Sequence, residues 1–118
     1  MSRESRTNQL GYFTMSVPDM ARARAFYASV FEWGYDAAPD MDRYSHIEKS
    51  EPPGGLTAAS PPAFTIYFRV DDIAAAVQRV RTCGGHASAP TKSDSGWHAS
   101  ATDDQGLSFS LWQPAPGL

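Results

Sequence analysis

The stretch Phe64-Thr65-Ile66-Tyr67-Phe68-Arg69-Val70-Asp71-Asp72 decides the fold. Its residues alternate: the apolar side chains at positions 64, 66, 68 and 70 share one face, and those at positions 65, 67 and 69 share the other. A period of two residues predicts a strand with one buried face. Asp71 and Asp72 then end the strand, and either residue can cap the helix that follows.

A second copy of this pattern lies earlier in the chain. Phe13-Thr14-Met15-Ser16-Val17-Pro18-Asp19 also alternates and also reaches an aspartate before a helical run, at an offset of 53 residues. Further along, Gly55-Leu56-Thr57 matches Gly106-Leu107-Ser108, and we align these two segments as equivalent. A pattern that occurs twice with a nearly constant offset indicates a duplicated unit.

The composition is that of one globular domain. With 118 residues, 42% of them hydrophobic, the chain can bury a core of its own. The net charge of −3 provides no basic surface for nucleic acid, and no apolar run approaches the length of a membrane span. We therefore expect neither a nucleic acid nor a membrane as a partner.

Cysteine usage and the N-terminus bear on the compartment. Cys83 is the single cysteine, so an internal disulfide is impossible and a reducing, cytoplasmic location is the simpler interpretation. Residues 1–9 are polar and lack the apolar core of a secretion signal. We predict that they form a loose N-terminal arm.

The first unit is predicted to contain one strand, one helix and three further strands. The strand covers Leu10–Val17 and the helix covers residues 20–33, with Gly34 just beyond its end. Short strands are expected at 35–38, 44–49 and 55–60, separated by turns rich in proline. Four helix residues are spaced to form a stripe that faces the core: Ala23, Phe26, Tyr27 and Val30.

The second unit repeats this order. A strand over 63–70 is followed by a helix over Ile73–Thr82 and by strands at 86–89, 97–102 and 107–113. Each unit therefore follows the order βαβββ. The helix of this unit has the same apolar spacing as the first, at Ile73, Ala76, Val77 and Val80.

One helix per unit covers one face of each sheet, and the other face carries Thr, Ser, Tyr, Arg and Trp. The sequence thus predicts an α+β fold, in which two βαβββ modules form a curved, incomplete barrel around a cavity. The modules cover about residues 10–60 and 61–114 of a single domain that spans 1–118. A concave, partly aromatic surface of this kind is the default site for a small ligand.

These paired modules resemble the vicinal oxygen chelate superfamily of glyoxalases, bleomycin resistance proteins and extradiol dioxygenases. The resemblance covers about residues 10–114, and it implies the glyoxalase/bleomycin resistance fold and a homodimer. It does not choose among the many reactions of the superfamily. The motifs that carry it are Val17-Pro18-Asp19 followed by Ala25-Phe26-Tyr27, Tyr67-Phe68-Arg69-Val70-Asp71-Asp72-Ile73, and Asp104-Gln105-Gly106 followed by Leu111-Trp112-Gln113-Pro114.

Metal enzymes of the superfamily carry ligands at two kinds of strand position, which the resemblance transfers to this chain. One lies seven residues before each helix-capping aspartate, at Tyr12 and Thr65; the other lies on the last strand of each module, near Ala59 and at Ser110. Divalent metals are bound by His, Cys or carboxylate groups, and none of these residues supplies one. We therefore expect no cofactor, with a divalent metal at atypical positions as the alternative.

Two histidines are candidates for acid–base chemistry. His46 shares a predicted strand face with Tyr44 and Glu48, which is either a cavity acid–base pair or an ordinary polar surface. His98 alternates with Trp97 and Ala99, so it faces the cavity if Trp97, Ala99 and Ala101 pack under the helix.

The predicted ligand site combines aromatic walls with polar anchors on the open face. Arg69 is the only full charge on its strand face, and it either pairs with an anionic ligand or Glu48 or lies in solvent at the strand end. The complete predicted site is Tyr12, Thr65, Tyr67, Arg69, His98, Ser110 and Trp112.

Three functions follow from these residues. The first is a metal-independent protein that binds a small organic molecule, as drug-sequestering members of the superfamily do. The second is an enzyme: a metal-dependent lyase, isomerase or dioxygenase with atypical ligands, or a metal-free catalyst that uses His98 or His46. The third is an interaction module that pairs through its sheet edges.

Overall fold

A computed structural model describes residues 7–118 of the chain and gives it eight strands and two helices in that range. The mixed α+β class is the predicted one. Neither helix of the described residues has the length and apolarity required to cross a membrane. In chain order the elements are β1 (Leu10–Val17), α1 (Met20–Phe31), β2 (Tyr44–His46), β3 (Gly54–Ala58), β4 (Ala63–Arg69), α2 (Ile73–Thr82), β5 (His86–Ala87), β6 (Thr91–Ser93), β7 (Gly96–Thr102) and β8 (Ser108–Pro114).

The chain divides into two compact units. The first comprises Tyr12–Thr65, and the second comprises Ile66–Leu118 together with the chain up to Gly11. Asn8 belongs to the second unit, where its backbone N–H donates to the carbonyl of Arg69. Of the predicted N-terminal arm, residues 1–6 lie outside the described residues.

In the first unit, β3 lies between two partners. It runs parallel to β1, with Met15 opposite Leu56, and antiparallel to β2, with Ser45 opposite Leu56. Leu56 has no exposed surface and packs against Met20 and Ala23 of α1. The helix therefore covers the sheet face that carries Leu56.

The second unit repeats this arrangement. β8 runs parallel to β4, with Phe68 opposite Leu111, and antiparallel to β7, with Ala99 opposite Leu111. Strands β5 and β6 pair with the two ends of β7. Leu111 and Ala99 form the core with Ile73 and Val77 of α2, so the helix again covers one sheet face.

Both helices begin at the predicted aspartates. The Asp19 carboxylate accepts a hydrogen bond from the backbone N–H of Arg22 at 3.0 Å, and the Asp72 carboxylate accepts one from Ala75 at 3.1 Å. These bonds satisfy N–H groups that have no partner inside the helix. The Gln113 side chain adds a further bond, since its oxygen accepts from the N–H of Ile73 at 2.8 Å and so ties β8 to the start of α2.

The predicted core stripe of α1 is only partly correct. Ala23 is buried, but 59% of Phe26 and 52% of Val30 are exposed, because α1 packs mainly through its first turn. The helix also ends earlier than predicted. Glu32, which caps it, adopts the left-handed conformation at φ 59°, and the expected role of Gly34 is therefore filled two residues sooner.

Several short strands differ from the prediction; β2 and β5, for example, end at His46 and Ala87 instead of at 49 and 89. The strand expected at 35–38 is reduced to a bridge between Tyr35 and Ile47. The strand Thr91–Ser93 was not predicted; it pairs with the start of β7 through the two-residue turn Asp94–Ser95. A hairpin this short leaves little periodicity in the sequence, although its turn residues are typical.

Strand register corrects the alignment of the two modules. Met15 and Phe68 are equivalent at the offset of 53 residues, and their ladder partners are Leu56 and Leu111. Leu56 therefore corresponds to Leu111, and its predicted equivalence with Leu107 is wrong.

A turn before β8 explains this error. The Asp103 carboxylate accepts hydrogen bonds from the backbone N–H groups of Gln105 and Leu107 at 2.8 and 2.9 Å. These bonds hold Leu107 in the turn, ahead of the strand, and they lower the pKa of the Asp103 carboxyl below its ordinary value.

The corrected register predicts which leucines stabilise the core. We expect Leu56→Ala and Leu111→Ala each to reduce the free energy of unfolding by about 2–5 kcal/mol, because each deletes a buried side chain. Leu107→Ala is the control and should cost less than about 0.5 kcal/mol, since 69% of Leu107 is exposed. Urea denaturation measures all three. A loss at Leu107 as large as that at Leu111 would contradict the register.

Candidate functional site

Five predicted site residues meet on the open face of the second unit. Tyr67 lies opposite Ser110, and Trp112 lies opposite both Arg69 on β4 and His98 on β7. Directly paired residues point to the same side of a sheet, so all five share one face. Ala99 lies in the core under α2 and Ala101 is buried, as the prediction for His98 required. The expected burial of Trp97 is wrong, since 38% of it is exposed.

Arg69 is held against an aromatic floor. Its guanidinium carbon lies 5.2 Å from the centroid of the Trp112 ring, within the range of a cation–π interaction. Trp112 is only 8% exposed, and its indole N–H donates to the carbonyl of Ser95 at 2.9 Å. A Cβ atom at Gly11 would lie 2.3 Å from Cγ of Arg69, so the glycine provides the space for this side chain.

The Arg69 guanidinium also donates to the main-chain oxygen of Leu118 at 3.1 Å. Within the described part of the second unit, no Asp or Glu side chain forms an ion pair with it. The open face therefore presents a cation whose partners there are an aromatic ring and the main-chain oxygen of Leu118.

His98 lies beside Tyr67 and between two serines. Its Nε2 atom is 3.2 Å from Oγ of Ser95, and its Nδ1 atom is 3.4 Å from Oγ of Ser93. The Tyr67 ring meets it edge-on, with 6.0 Å between the ring centroids. Burial lowers the pKa of His98 below its ordinary value of 6.5, so the imidazole is mostly neutral at pH 7 and can accept a proton.

The two serines were not predicted as part of the site. Ser93 is the last residue of β6, opposite Gly96, and Ser95 lies in the turn that joins β6 to β7. The available signal was the turn sequence Asp94-Ser95-Gly96, which is typical of a two-residue hairpin. Recognising that turn would have placed both hydroxyls near His98.

The first unit carries a separate polar cluster on its own open face. The hydroxyls of Tyr12 and Tyr44 are hydrogen-bonded, and the Tyr12 hydroxyl lies 3.2 Å from Nδ1 of His46. The rings of Tyr12 and His46 are stacked with 6.2 Å between centroids. Tyr12 and His46 are thus brought together as predicted site residues. Glu48 follows the end of β2.

The metal-ligand positions of the first unit hold groups that do not suit a divalent metal. Thr14 is equivalent to Tyr67, so its partner Gly55 is the counterpart of Ser110. The predicted counterpart near Ala59 is therefore wrong, because it was placed with the same alignment that matched Leu56 to Leu107. A Cβ atom at Gly55 would lie 2.2 Å from the hydroxyl oxygen of Tyr44. The phenol therefore fills the space into which a ligand side chain would extend.

The remaining family positions are no more suitable. Thr65, half-buried on β4 in the first unit, and Ser110 on β8 carry neutral hydroxyls, and Tyr12 is a phenol bonded to Tyr44. Residues 7–118 contain no cluster of three or more His, Cys, Asp or Glu side chains arranged to hold a metal ion. The donor set thus does not fit a zinc ion or a harder divalent cation.

The lowered pKa of His98 predicts a pH dependence of stability. Burial disfavours the imidazolium in the folded protein, so on acidification the unfolded chain binds a proton first. The free energy of unfolding should therefore fall as the pH is lowered through 6.5, and the loss should level off below the pKa of His98 in the folded protein.

Urea denaturation of His98→Asn between pH 7.5 and pH 5 tests this pH dependence. The free energy of unfolding should fall less in His98→Asn than in the parent protein over this range. The control His86→Asn, at an exposed position, should show the same fall as the parent. An unchanged slope in His98→Asn would contradict the assignment.

Comparison with known proteins agrees with this fold. A family model described as "Glyoxalase-like domain" matches residues 12–112. "Putative glyoxylase CFP32" of Mycobacterium bovis is 28% identical over 123 residues, which cover 93% of this chain and 47% of that protein. The chain therefore spans about half the length of the curated relatives it matches.

Solved structures share the fold at low sequence identity. Methylmalonyl-CoA epimerase from Mycobacterium tuberculosis has a TM-score of 0.65 and 17% identity, covering 98% of this chain and 94% of its own. Homoprotocatechuate 2,3-dioxygenase from Brevibacterium fuscum has a TM-score of 0.70 and 19% identity, covering 90% of this chain and 36% of its own. With the family match over residues 12–112, these findings show that the chain belongs to the glyoxalase-like domain family of the vicinal oxygen chelate superfamily.

Proposed function

We propose that this protein binds a small organic molecule without a metal, and that the molecule carries a flat ring and an anionic group. The observation that carries the proposal is the Arg69 guanidinium, fixed on Trp112 beside Tyr67 and His98, with no Asp or Glu side chain paired with it in the described part of its unit. A guanidinium offers several N–H donors in one plane, which matches a carboxylate or phosphate.

The neighbouring groups support a ring beside the anion. Tyr67 is half-buried and meets His98 edge-on, which leaves aromatic surface on the open face. Trp112 is buried, so it acts as the floor that positions Arg69. Ser110, opposite Tyr67, lies on the same face but is only 8% exposed, so it adds little polar surface for a ligand.

The class of ligand is suggested by a related structure. The dioxygenase from Brevibacterium fuscum was solved with 3,4-dihydroxyphenylacetate, an aromatic carboxylate. We propose the same class of molecule for this chain, or a larger aromatic compound sequestered as in bleomycin resistance proteins. A cytoplasmic location and a homodimer complete the proposal.

The proposal that no metal is required is supported by residues of the first unit. The Tyr44 phenol occupies the space at Gly55, and Tyr12 bonds to that phenol, so two family ligand positions are taken by a neutral hydrogen-bonded pair. Neutral phenols are weak ligands compared with the His, Cys and carboxylate groups of zinc sites.

A second candidate function is metal-free proton transfer at His98. Its support is a neutral imidazole whose nitrogens lie near the hydroxyls of Ser93 and Ser95. A base in this position could remove a proton from a molecule bound beside Arg69. Turnover that is abolished in His98→Asn while ligand binding persists would distinguish catalysis from binding alone.

Ligand binding is tested with 3,4-dihydroxyphenylacetate as the probe, by NMR titration of the ¹⁵N-labelled protein. We expect shifts at residues of β4, β7 and β8, and a dissociation constant at least ~10-fold higher for Arg69→Gln, because a charge-assisted pair is lost. Arg79→Gln is the matched control, since Arg79 is exposed on α2. The uncharged amide of the probe should bind the parent protein as weakly as the acid binds Arg69→Gln. Equal affinities for parent and Arg69→Gln would reject the site.

Metal independence is tested on protein purified without chelators or affinity metals. We expect substoichiometric metal by elemental analysis and the same melting temperature before and after EDTA, because a ligand that does not bind the folded state cannot stabilise it. Stoichiometric metal with a clear fall in melting temperature would instead favour the metal-dependent lyase, isomerase or dioxygenase.

A further inference from the structure

Residues 115–118 form a tight turn that lies beside the guanidinium of Arg69. The backbone N–H of Leu118 donates to the carbonyl of Ala115 at 3.0 Å, which closes the turn. The main-chain oxygen of Leu118 then accepts a hydrogen bond from the Arg69 guanidinium at 3.1 Å. We call residues 115–118 the Arg69 turn. It occupies a donor of the same cation to which the proposed ligand binds.

The sequence Ala115-Pro116-Gly117-Leu118 is suited to such a turn. A type II turn favours proline at its second position, and its third position needs a positive φ, which glycine adopts without strain. Pro116 and Gly117 occupy these positions, and φ of Gly117 is 90°. A Cβ atom at Gly117 would meet nothing within 4 Å, so the backbone conformation and not the available space requires glycine there. The turn is therefore specified by its own residues.

The start of the Arg69 turn is anchored to the hairpin of β6 and β7. The backbone N–H of Ala115 donates to the carbonyl of Ser95 at 2.8 Å, and the same carbonyl accepts from the indole N–H of Trp112 at 2.9 Å. Gly96 is buried beside this anchor, where a Cβ atom would lie 2.6 Å from the nitrogen of Ala115. The turn and the aromatic floor under Arg69 thus share one acceptor, which fixes the place where the turn begins.

The other end of the Arg69 turn is held more weakly. Pro116, Gly117 and Leu118 are exposed, and 59% of Leu118 is accessible to water, so its side chain adds little packing. Leu118 is held by two main-chain hydrogen bonds, one inside the turn and one to Arg69. Segments with few buried apolar contacts open locally at a small cost in free energy. The turn can therefore leave the cation while Ala115 stays in place.

An anionic ligand is a stronger partner for Arg69 than the turn. The turn supplies one oxygen atom to one guanidinium nitrogen, whereas a carboxylate or phosphate can accept two parallel N–H bonds from the planar guanidinium. A ring beside Tyr67 adds contacts that the turn does not make. A ligand that binds only the open form has its apparent affinity reduced by the fraction of molecules in that form.

We propose that the Arg69 turn is a removable cover of the anion site: it occupies the guanidinium in the free protein and swings away about Ala115 when an anionic ligand binds. This inference rests on the proposed function, because it assigns a competitor to the cation on which that function depends. Closure of the turn and binding of the anion exclude each other. The stability of the turn therefore sets the ligand concentration at which the site is filled.

Labelling with phenylglyoxal, a reagent that modifies arginine guanidinium groups, measures how far the turn covers Arg69. Gly117→Val should open the turn, because a β-branched residue rarely adopts a positive φ. We expect Arg69 to be labelled at least ~2-fold faster in this variant, as followed by mass spectrometry. Arg79, exposed on α2, is the internal reference and should react at an unchanged rate.

Two further variants control for the substitution itself. Gly117→Asn should label like the parent protein, because asparagine tolerates a positive φ at this turn position. Gly106→Val is the matched control, since Gly106 has φ 92° and equally open surroundings in the turn before β8. It should strain its own turn and leave the labelling of Arg69 unchanged.

Titration of the same proteins with 3,4-dihydroxyphenylacetate tests the competition. The dissociation constant should fall roughly 2–10-fold in Gly117→Val, because one competing hydrogen bond is removed, and it should keep the parent value in Gly117→Asn and Gly106→Val. In the parent protein, hydrogen exchange of the Leu118 amide should become faster when the probe is bound. The Ala115 amide should remain protected by its bond to Ser95.

Several results would overturn the inference. Equal labelling of Arg69 in the parent and Gly117→Val would show that the turn does not cover the cation, and faster labelling with unchanged affinity would show that it does not compete. Slower exchange of the Leu118 amide in the complex would show that the turn closes over the ligand. If the probe bound none of these proteins, the proposed function would fail, and the labelling of Arg69 would still decide whether the turn covers the cation.

Discussion

The parallel pairing of β4 with β8 is the constraint on which the second unit depends. It places Phe68 beside Leu111 on the helix side and Tyr67 beside Ser110 on the open side. Side chains alternate along a strand, so a shift of one residue in β8 would move Leu111 out of the core and Ser110 into it. One register thus sets both the core under α2 and the composition of the candidate site.

The two units share this architecture but differ on their open faces. In the first, Tyr12, Tyr44 and His46 form a hydrogen-bonded polar cluster. In the second, a cation lies on Trp112 beside a neutral histidine. On each face a glycine leaves space for a functional side chain: Gly55 for the Tyr44 phenol and Gly11 for Arg69. The chemistry of each face therefore depends on a residue that has no side chain.

Much of the fold could be predicted from local pattern and capping. β1 and α2 have the predicted bounds, because alternation defines the strand and Asp72 defines the start of the helix. The end of α1 and the burial of Phe26 could not be predicted in the same way. Periodicity shows which residues share a face, but not whether a neighbour covers that face.

Part of the candidate site could also be predicted from the sequence. Alternation was sufficient to place Tyr67, Arg69 and His98 on one face. It could not show that Trp112 is buried beneath the guanidinium, since burial depends on packing across strands. Similar turn residues also misaligned Leu107, because sequence likeness at a turn does not determine the register of the strand that follows.

The contact between Tyr44 and Gly55 has a consequence for how this domain could change during evolution. A carboxylate introduced at position 55 would collide with the phenol, and removal of the phenol alone would leave Tyr12 without that hydrogen-bond partner. Each single substitution is therefore disadvantageous, although the pair together would open a ligand position. Opening even this one position requires two coordinated replacements, while Tyr12, Thr65 and Ser110 would still lack a metal-binding group, so the present donor set resists stepwise drift.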